Sequence, residues 1–132
     1  MILDTHVWLR YLAGKGVPKP ALRRIERART TGRLQVAAVT LWEIALLVHE
    51  RKVRVDDTVP SWLEAALVRS GATVAPLDAA VAYEASRLID LLRDPADCQI
   101  AGTAIRLGVP LATRDARILE HAGRFGLDAI ES

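Results

Sequence analysis

Sulfur and imidazole are scarce in this chain of 132 residues, which carries one cysteine, Cys98, and three histidines. A lone cysteine can form no intramolecular disulfide, so a reducing compartment is the default. Few soft donors also leave little from which to build a zinc cage. Long apolar runs are missing as well. The opening stretch is interrupted by Asp4, His6 and Arg10, which excludes a secretory core, and no later run reaches membrane-spanning length without a charge. A cytoplasmic location without membrane contact is therefore expected. No repeat, low-complexity tract or linker is visible, and 51% hydrophobic content is enough for one domain over residues 1–132 to bury a core.

Lysine is nearly absent, so arginine supplies 15 of the 18 basic side chains. Its planar fork matches phosphate better than an ammonium does. Lys19, Arg23, Arg24, Arg27, Arg29 and Arg33 form the densest basic stretch, readable either as a solvated helix face or as a phosphate-contacting one. The formal charge is +2. If four of the 16 acids are gathered in one pocket, as argued below, the rest of the surface is biased toward anions.

Apolar runs and helical periodicity alternate from end to end. Strands are expected at residues 1–3, 34–39, 72–76 and 109–113, with a possible edge strand at 127–130. Helices are expected at 5–12, from Pro20 to about Thr31, 40–52, 60–69, 95–107 and 116–124. A longer helix should follow Asp78, with Val81, Ala85, Leu88 and Leu92 on one stripe. Gly32, Gly71 and Gly108 are helix stops. This alternation predicts an α/β fold, a three-layer α/β/α sandwich with a mainly parallel, short-stranded central sheet. In such sheets the ligand crevice opens at the carboxyl ends of the strands.

Four acids stand where an apolar run gives way to a helix start: Asp4, Glu43, Asp97 and Asp115. Each has a structural account of its own. Asp4 and Asp115 can cap helices, and Thr40-x-x-Glu43 has capping-box spacing. Asp94-Pro95-Ala96-Asp97 has the form of a helix entrance. Their common location favours a shared purpose, because carboxylates from distant parts of the chain can hold Mg²⁺ or Mn²⁺. Glu43, hemmed in by Leu41, Trp42, Ile44 and Leu46, needs a partner for its charge, and a metal ion or its water is one candidate.

Taken in order, four blocks resemble those of the PIN-domain family. They are Ile2-Leu3-Asp4-Thr5-His6-Val7-Trp8-Leu9, Thr40-Leu41-Trp42-Glu43-Ile44-Ala45, Asp94-Pro95-Ala96-Asp97 with Ile100-Ala101-Gly102-Thr103-Ala104, and Gly108-Val109-Pro110-Leu111-Ala112-Thr113-Arg114-Asp115. The similarity spans nearly the whole chain, and the subgroup it resembles is the VapC-type toxins of bacterial toxin–antitoxin pairs. The resemblance implies a Mg²⁺- or Mn²⁺-dependent endoribonuclease, inhibited by a cognate antitoxin and commonly a homodimer. It implies that Asp4, Glu43, Asp97 and Asp115 are the acidic quartet, with Thr113 a hydroxyl beside the site and Asp94 a supporting acid. One departure is visible: after Asp97 the family usually has arginine, and here Cys98 and Gln99 follow.

The chemistry so implied is hydrolysis of an RNA phosphodiester by an activated water, leaving 5′-phosphate and 3′-hydroxyl ends. Arg114 and Arg117, beside Asp115, are candidates for RNA-backbone contacts. Trp8, Trp42 and Trp62 could stack bases but suit a core or an interface equally. His6 reads as a packed or solvent-facing imidazole, and Cys98 as a small helix residue. Two other phosphoryl chemistries fit less well. An aspartyl-phosphate phosphatase expects an acid where His6 stands, and a receiver domain expects an Asp in residues 34–40. The remaining alternative is a module of the same fold that binds RNA or a partner without cutting.

Overall fold

Strands form in the short apolar stretches of the chain. In the computed structural model, which describes residues 1–132, they are β1 (Ile2–Leu3), β2 (Gln35–Ala37), β3 (Thr73–Ala75), β4 (Leu111–Thr113) and β5 (Ala129–Glu131). All four pairings are parallel, in the order β3-β2-β1-β4-β5. The helices are α1 (Thr5–Leu12), α2 (Lys19–Thr30), α3 (Ala38–His49), α4 (Val59–Ser70), α5 (Ala79–Ser86), α6 (Ile89–Leu92), α7 (Pro95–Leu107) and α8 (Ala116–His121).

Successive strand residues point to opposite faces, and the two cores divide accordingly. Ile2, Ala37, Ala75 and Leu111 meet Ala85, Leu92, Ile100 and Ile118, from α5 to α8. Leu3, Val36 and Ala112 meet Val7, Trp8, Ile25, Ile44 and Ala66, from α1 to α4. Helices therefore cover both faces, and the expected α/β/α sandwich is the observed fold. No helix is long and apolar enough to cross a membrane.

Three local expectations change. β2 ends at Ala37 and α3 begins at once at Ala38, without a side-chain cap. Thr40 is thus already inside the helix and buried, and the Thr40–Glu43 capping box does not form. The long helix after Asp78 breaks into α5 and α6, although Val81, Ala85, Leu88 and Leu92 are all buried as the stripe required. The last helix tightens into a 3₁₀ turn over Ala122–Phe125, as helix ends often do.

One glycine sets the position of the helix that carries Asp97. A Cβ added at Gly102 would lie 2.8 Å from the Ala85 backbone nitrogen. Only hydrogen allows α7 to pack so closely on α5. That approach fixes where the start of α7 stands relative to the sheet.

Candidate functional site

Strand register builds the floor of the site. β1 and β4 pair with Leu3 opposite Ala112, and the Asp4 amide continues the ladder by donating to the Ala112 carbonyl at 3.0 Å. Asp4 and Thr113 therefore come side by side, and the Thr113 hydroxyl donates to Asp4 Oδ2 at 2.5 Å. Asp4 Oδ1 accepts from the amides of His6 at 2.9 Å and Val7 at 3.2 Å, capping α1. The Thr113 hydroxyl in turn accepts from the Asp115 amide at 3.0 Å. Asp115 caps α8 through the Ile118 amide at 2.9 Å. Chain direction from β1 to β2 leads to one side of the sheet while β4 lies on the other. This reversal is where a parallel sheet leaves a crevice.

The walls come from α3 and α7. Glu43 stands in the second turn of α3, not at its start, and finds its partner inside the chain: the Thr5 hydroxyl donates to Oε1 at 2.5 Å. Thr5 also lies 3.2 Å from the Thr40 hydroxyl, so the three side chains tie α1 to α3. Asp94 caps α7 by accepting from the Asp97 amide at 3.0 Å. Asp97 projects from the first turn, where the helix dipole favours an anion. All four acids of the quartet, and Asp94, line one open cleft of about 440 Å³.

Crowding these carboxylates changes their acidity. Burial, then repulsion from Asp115, Asp94, Glu43 and Asp4, pushes the Asp97 carboxyl up to about 7. Glu43 is also raised, chiefly by burial and further by Asp94 and Asp4, against the lowering effects of the Thr5 hydrogen bond and His6. The donors are oxygens, the type that suits Mg²⁺ and Mn²⁺. No three acidic, histidine or cysteine side chains are closed into a ready ligand set. Mg²⁺ in general keeps several waters and takes only one or two protein carboxylates.

Among the other candidates, Arg114 lines the cleft while Arg117 does not. Arg114 is held by the carbonyls of Ser132 at 2.7 Å and Gly16 at 3.3 Å, and Arg117 reaches back to the Leu92 carbonyl at 3.4 Å. Trp8 is fully buried and cannot meet a base, Trp62 is half-buried against the core, and Trp42 is 59% exposed on α3. His6 is exposed and borders the cleft. Cys98 is buried, and burial raises its thiol pKa, as suits a packing residue.

Two cleft residues escaped the sequence reading. Thr5 was masked by its place next to Asp4, where a hydroxyl suggests only a helix start. Arg10 lines the cleft from the far end of α1. A charged side chain two turns from Asp4 on a short helix is the one signal that pointed to it.

The PIN domain family model matches residues 1–124. Ribonuclease VapC22 of Mycobacterium tuberculosis is 34% identical over 125 residues, covering 92% of this chain and 91% of that protein. FitAcB from Neisseria gonorrhoeae superposes with a TM-score of 0.65 at 20% identity, over 98% of this chain and 96% of the other. VapBC-5 from Mycobacterium tuberculosis, of the VapBC family of toxin-antitoxin systems, gives 0.61 at 21% identity over 99% and 97%. With a family match over nearly its full length and a VapC-type relative of near-equal span, the chain belongs to the PIN-domain family.

Proposed function

We propose that this chain is a Mg²⁺- or Mn²⁺-dependent endoribonuclease, acting as the toxin of a type II toxin–antitoxin pair. The observation that carries this reading is the gathering of Asp4, Glu43, Asp97 and Asp115, from four separated stretches, around one cleft. It is supported by the relative whose name is ribonuclease and by a structural neighbour from a toxin-antitoxin system.

Asp4 and Asp97 would hold the principal ion, with Asp115 and Glu43 completing its surroundings through water. When bound, the ion makes a water easier to deprotonate and offsets charge on the phosphate under attack. The protein's part is positioning. Two backbone amides and the Thr113 hydroxyl fix Asp4, and the Thr5 hydroxyl fixes Glu43. Asp97 accepts no hydrogen bond, and burial with the neighbouring acids pushes its carboxyl up to about 7, so a bound cation would favour its ionised form. Attack by water, and not by the ribose 2′ hydroxyl, leaves 5′-phosphate and 3′-hydroxyl ends.

The partners in this reading are an RNA strand, a cognate antitoxin and a second copy of the chain, all in the cytoplasm. The exposed Trp42 on α3 gives a partner protein an apolar place to settle. Incubating the purified, antitoxin-free chain with cellular RNA and Mg²⁺ or Mn²⁺, then mapping the ends, tests the enzyme directly. Cuts with 5′-phosphate ends that vanish with Asp97→Asn are expected. Binding without cutting would select the non-cleaving module instead, and 2′,3′-cyclic phosphate ends would overturn the chemistry.

A further inference from the structure

Beside the acidic cleft lies a second hollow, of about 350 Å³, between the end of α1, α2 and α4. Its charged lining is opposite in character. Arg10, Lys15 and Arg69 face it against one acid, Glu26. That acid is already engaged: it accepts from the Tyr11 hydroxyl at 2.6 Å and from Arg29 at 3.4 Å. The hollow is therefore cationic on balance, with apolar wall contributed by Val17 and Leu22.

Arg10 is the one basic residue that lines both the hollow and the acidic cleft. Its Nη1 is buried without a hydrogen-bond partner, and it takes part in none of the chain's ion pairs. The other cleft arginine, Arg114, is by contrast tied to two carbonyls. Gly16 leaves room for the Arg10 stem, since a Cβ there would come within 3.3 Å of its Cδ. A buried guanidinium nitrogen with no acceptor is costly. Arg10 also borders both cavities, and there a phosphate oxygen would match the guanidinium fork.

We propose that Arg10 binds the phosphate next to the scissile one, and that the RNA strand runs from the acidic cleft across Arg10 into the Lys15–Arg69 hollow. This rests on the nuclease reading for the scissile position, although the strand path can be tested by binding alone. The hollow then takes one or two flanking nucleotides, their phosphates on Arg10, Lys15 and Arg69 and a base against Leu22 and Val17. Contacts of this kind position the strand with little reading of sequence.

The test uses the full chain with Asp97→Asn to prevent cutting, a labelled single-stranded RNA, and Arg10→Gln, Arg10→Lys, Lys15→Gln with Arg69→Gln, and Arg106→Gln as a charge-matched control on the far end of α7. Arg10→Gln should weaken RNA binding about tenfold and reduce the slope of log affinity against log salt by about 0.7. Arg10→Lys should restore the slope but not all the affinity, and the Lys15/Arg69 pair should reduce the slope by about twice as much. Arg106→Gln should match its parent. In the cutting protein, Arg10→Gln should raise KM more than it lowers kcat, with no loss of Tm or of Mn²⁺ binding.

Unchanged affinity and slope in Arg10→Gln would overturn the proposal, as would an effect matched by Arg106→Gln. Loss of Tm and Mn²⁺ binding in both Arg10 variants would make Arg10 structural and overturn it too. If the hollow variants leave RNA binding intact but weaken binding of the antitoxin, the hollow serves a protein segment and the strand path is wrong. A wild-type chain that binds RNA through Arg10 yet never cuts would sink the nuclease reading, and the scissile position with it, and leave the strand path standing.

Discussion

The floor of the cleft at the end of β1 and its wall at the start of α7 each present an aspartate, but the fold treats the two in opposite ways. Asp4 is 7% exposed and accepts three hydrogen bonds, from two amides and Thr113. Asp97 accepts none, is half-buried, and is pushed up to about 7 by desolvation and neighbouring acids. The first carboxylate supports the structure that carries it. The second is held at a cost, since burial and its neighbours' charges disfavour its ionised form.

The sharpest way to break that contrast is to remove each acid in turn. Asp97→Asn and Asp4→Ala should each lower RNA cleavage by more than about 100-fold, measured at saturating Mn²⁺. Their stabilities should diverge. Asp4→Ala loses the α1 cap and strands the Thr113 hydroxyl, costing about 2–3 kcal/mol by urea unfolding. Asp97→Asn should equal or exceed wild type in cation-free buffer at pH 8. Equal losses of stability in the two variants would show that the contrast is mistaken.

Next in size is Gly102→Ala, which tests whether packing places the Asp97 wall. Contact with the Ala85 backbone should cost about 1–3 kcal/mol, outweighing the roughly 1 kcal/mol that alanine gains over glycine in a helix. A variant as stable as wild type would mean that α5 and α7 part easily.

The pH dependence follows from the same carboxyl. Asp97 holds its proton more tightly folded than unfolded, between its ordinary value of 3.8 and about 7. Across that window the native state binds more protons, so its contribution to stability falls as pH rises. The cation-free Tm should therefore carry a downward component from pH 4 to about 7 that Asp97→Asn removes. The gain in Tm on adding Mn²⁺ should be larger at pH 8 than at pH 5, by differential scanning fluorimetry. The smallest effect concerns the α3 wall: Thr5→Val should cost about 1 kcal/mol, and should reduce cleavage about tenfold by leaving Glu43 unheld.

Much of this architecture was legible because local chemistry and tertiary demand agree. Asp78, Asp94 and Asp115 cap the helices expected of them, and Gly71 and Gly108 close theirs at φ 66° and 64°. Where the two disagree, the sequence misleads. Thr40 and Glu43 have the spacing of a cap, but a helix starting directly from β2 draws both inside and joins them to Thr5, 35 and 38 residues away. The helix after Asp78 breaks before Ile89, while its apolar stripe persists through the break. Periodicity registers the buried face and is blind to a short interruption of the backbone.

By itself the sequence determined the alternation of strand and helix, the burial of the central strands on two faces, and four acids at positions that a parallel sheet gathers at one edge. Those follow from periodicity and chain direction, which are local. Only the tertiary structure decided which hydroxyls hold Asp4 and Glu43, that Asp97 alone is left without a donor, and that Arg10 joins an acidic cleft to a basic hollow. These depend on register and on helix approach, and a hydrogen bond or a desolvated charge is fixed by what lies a few ångströms away in space, whatever its distance along the chain.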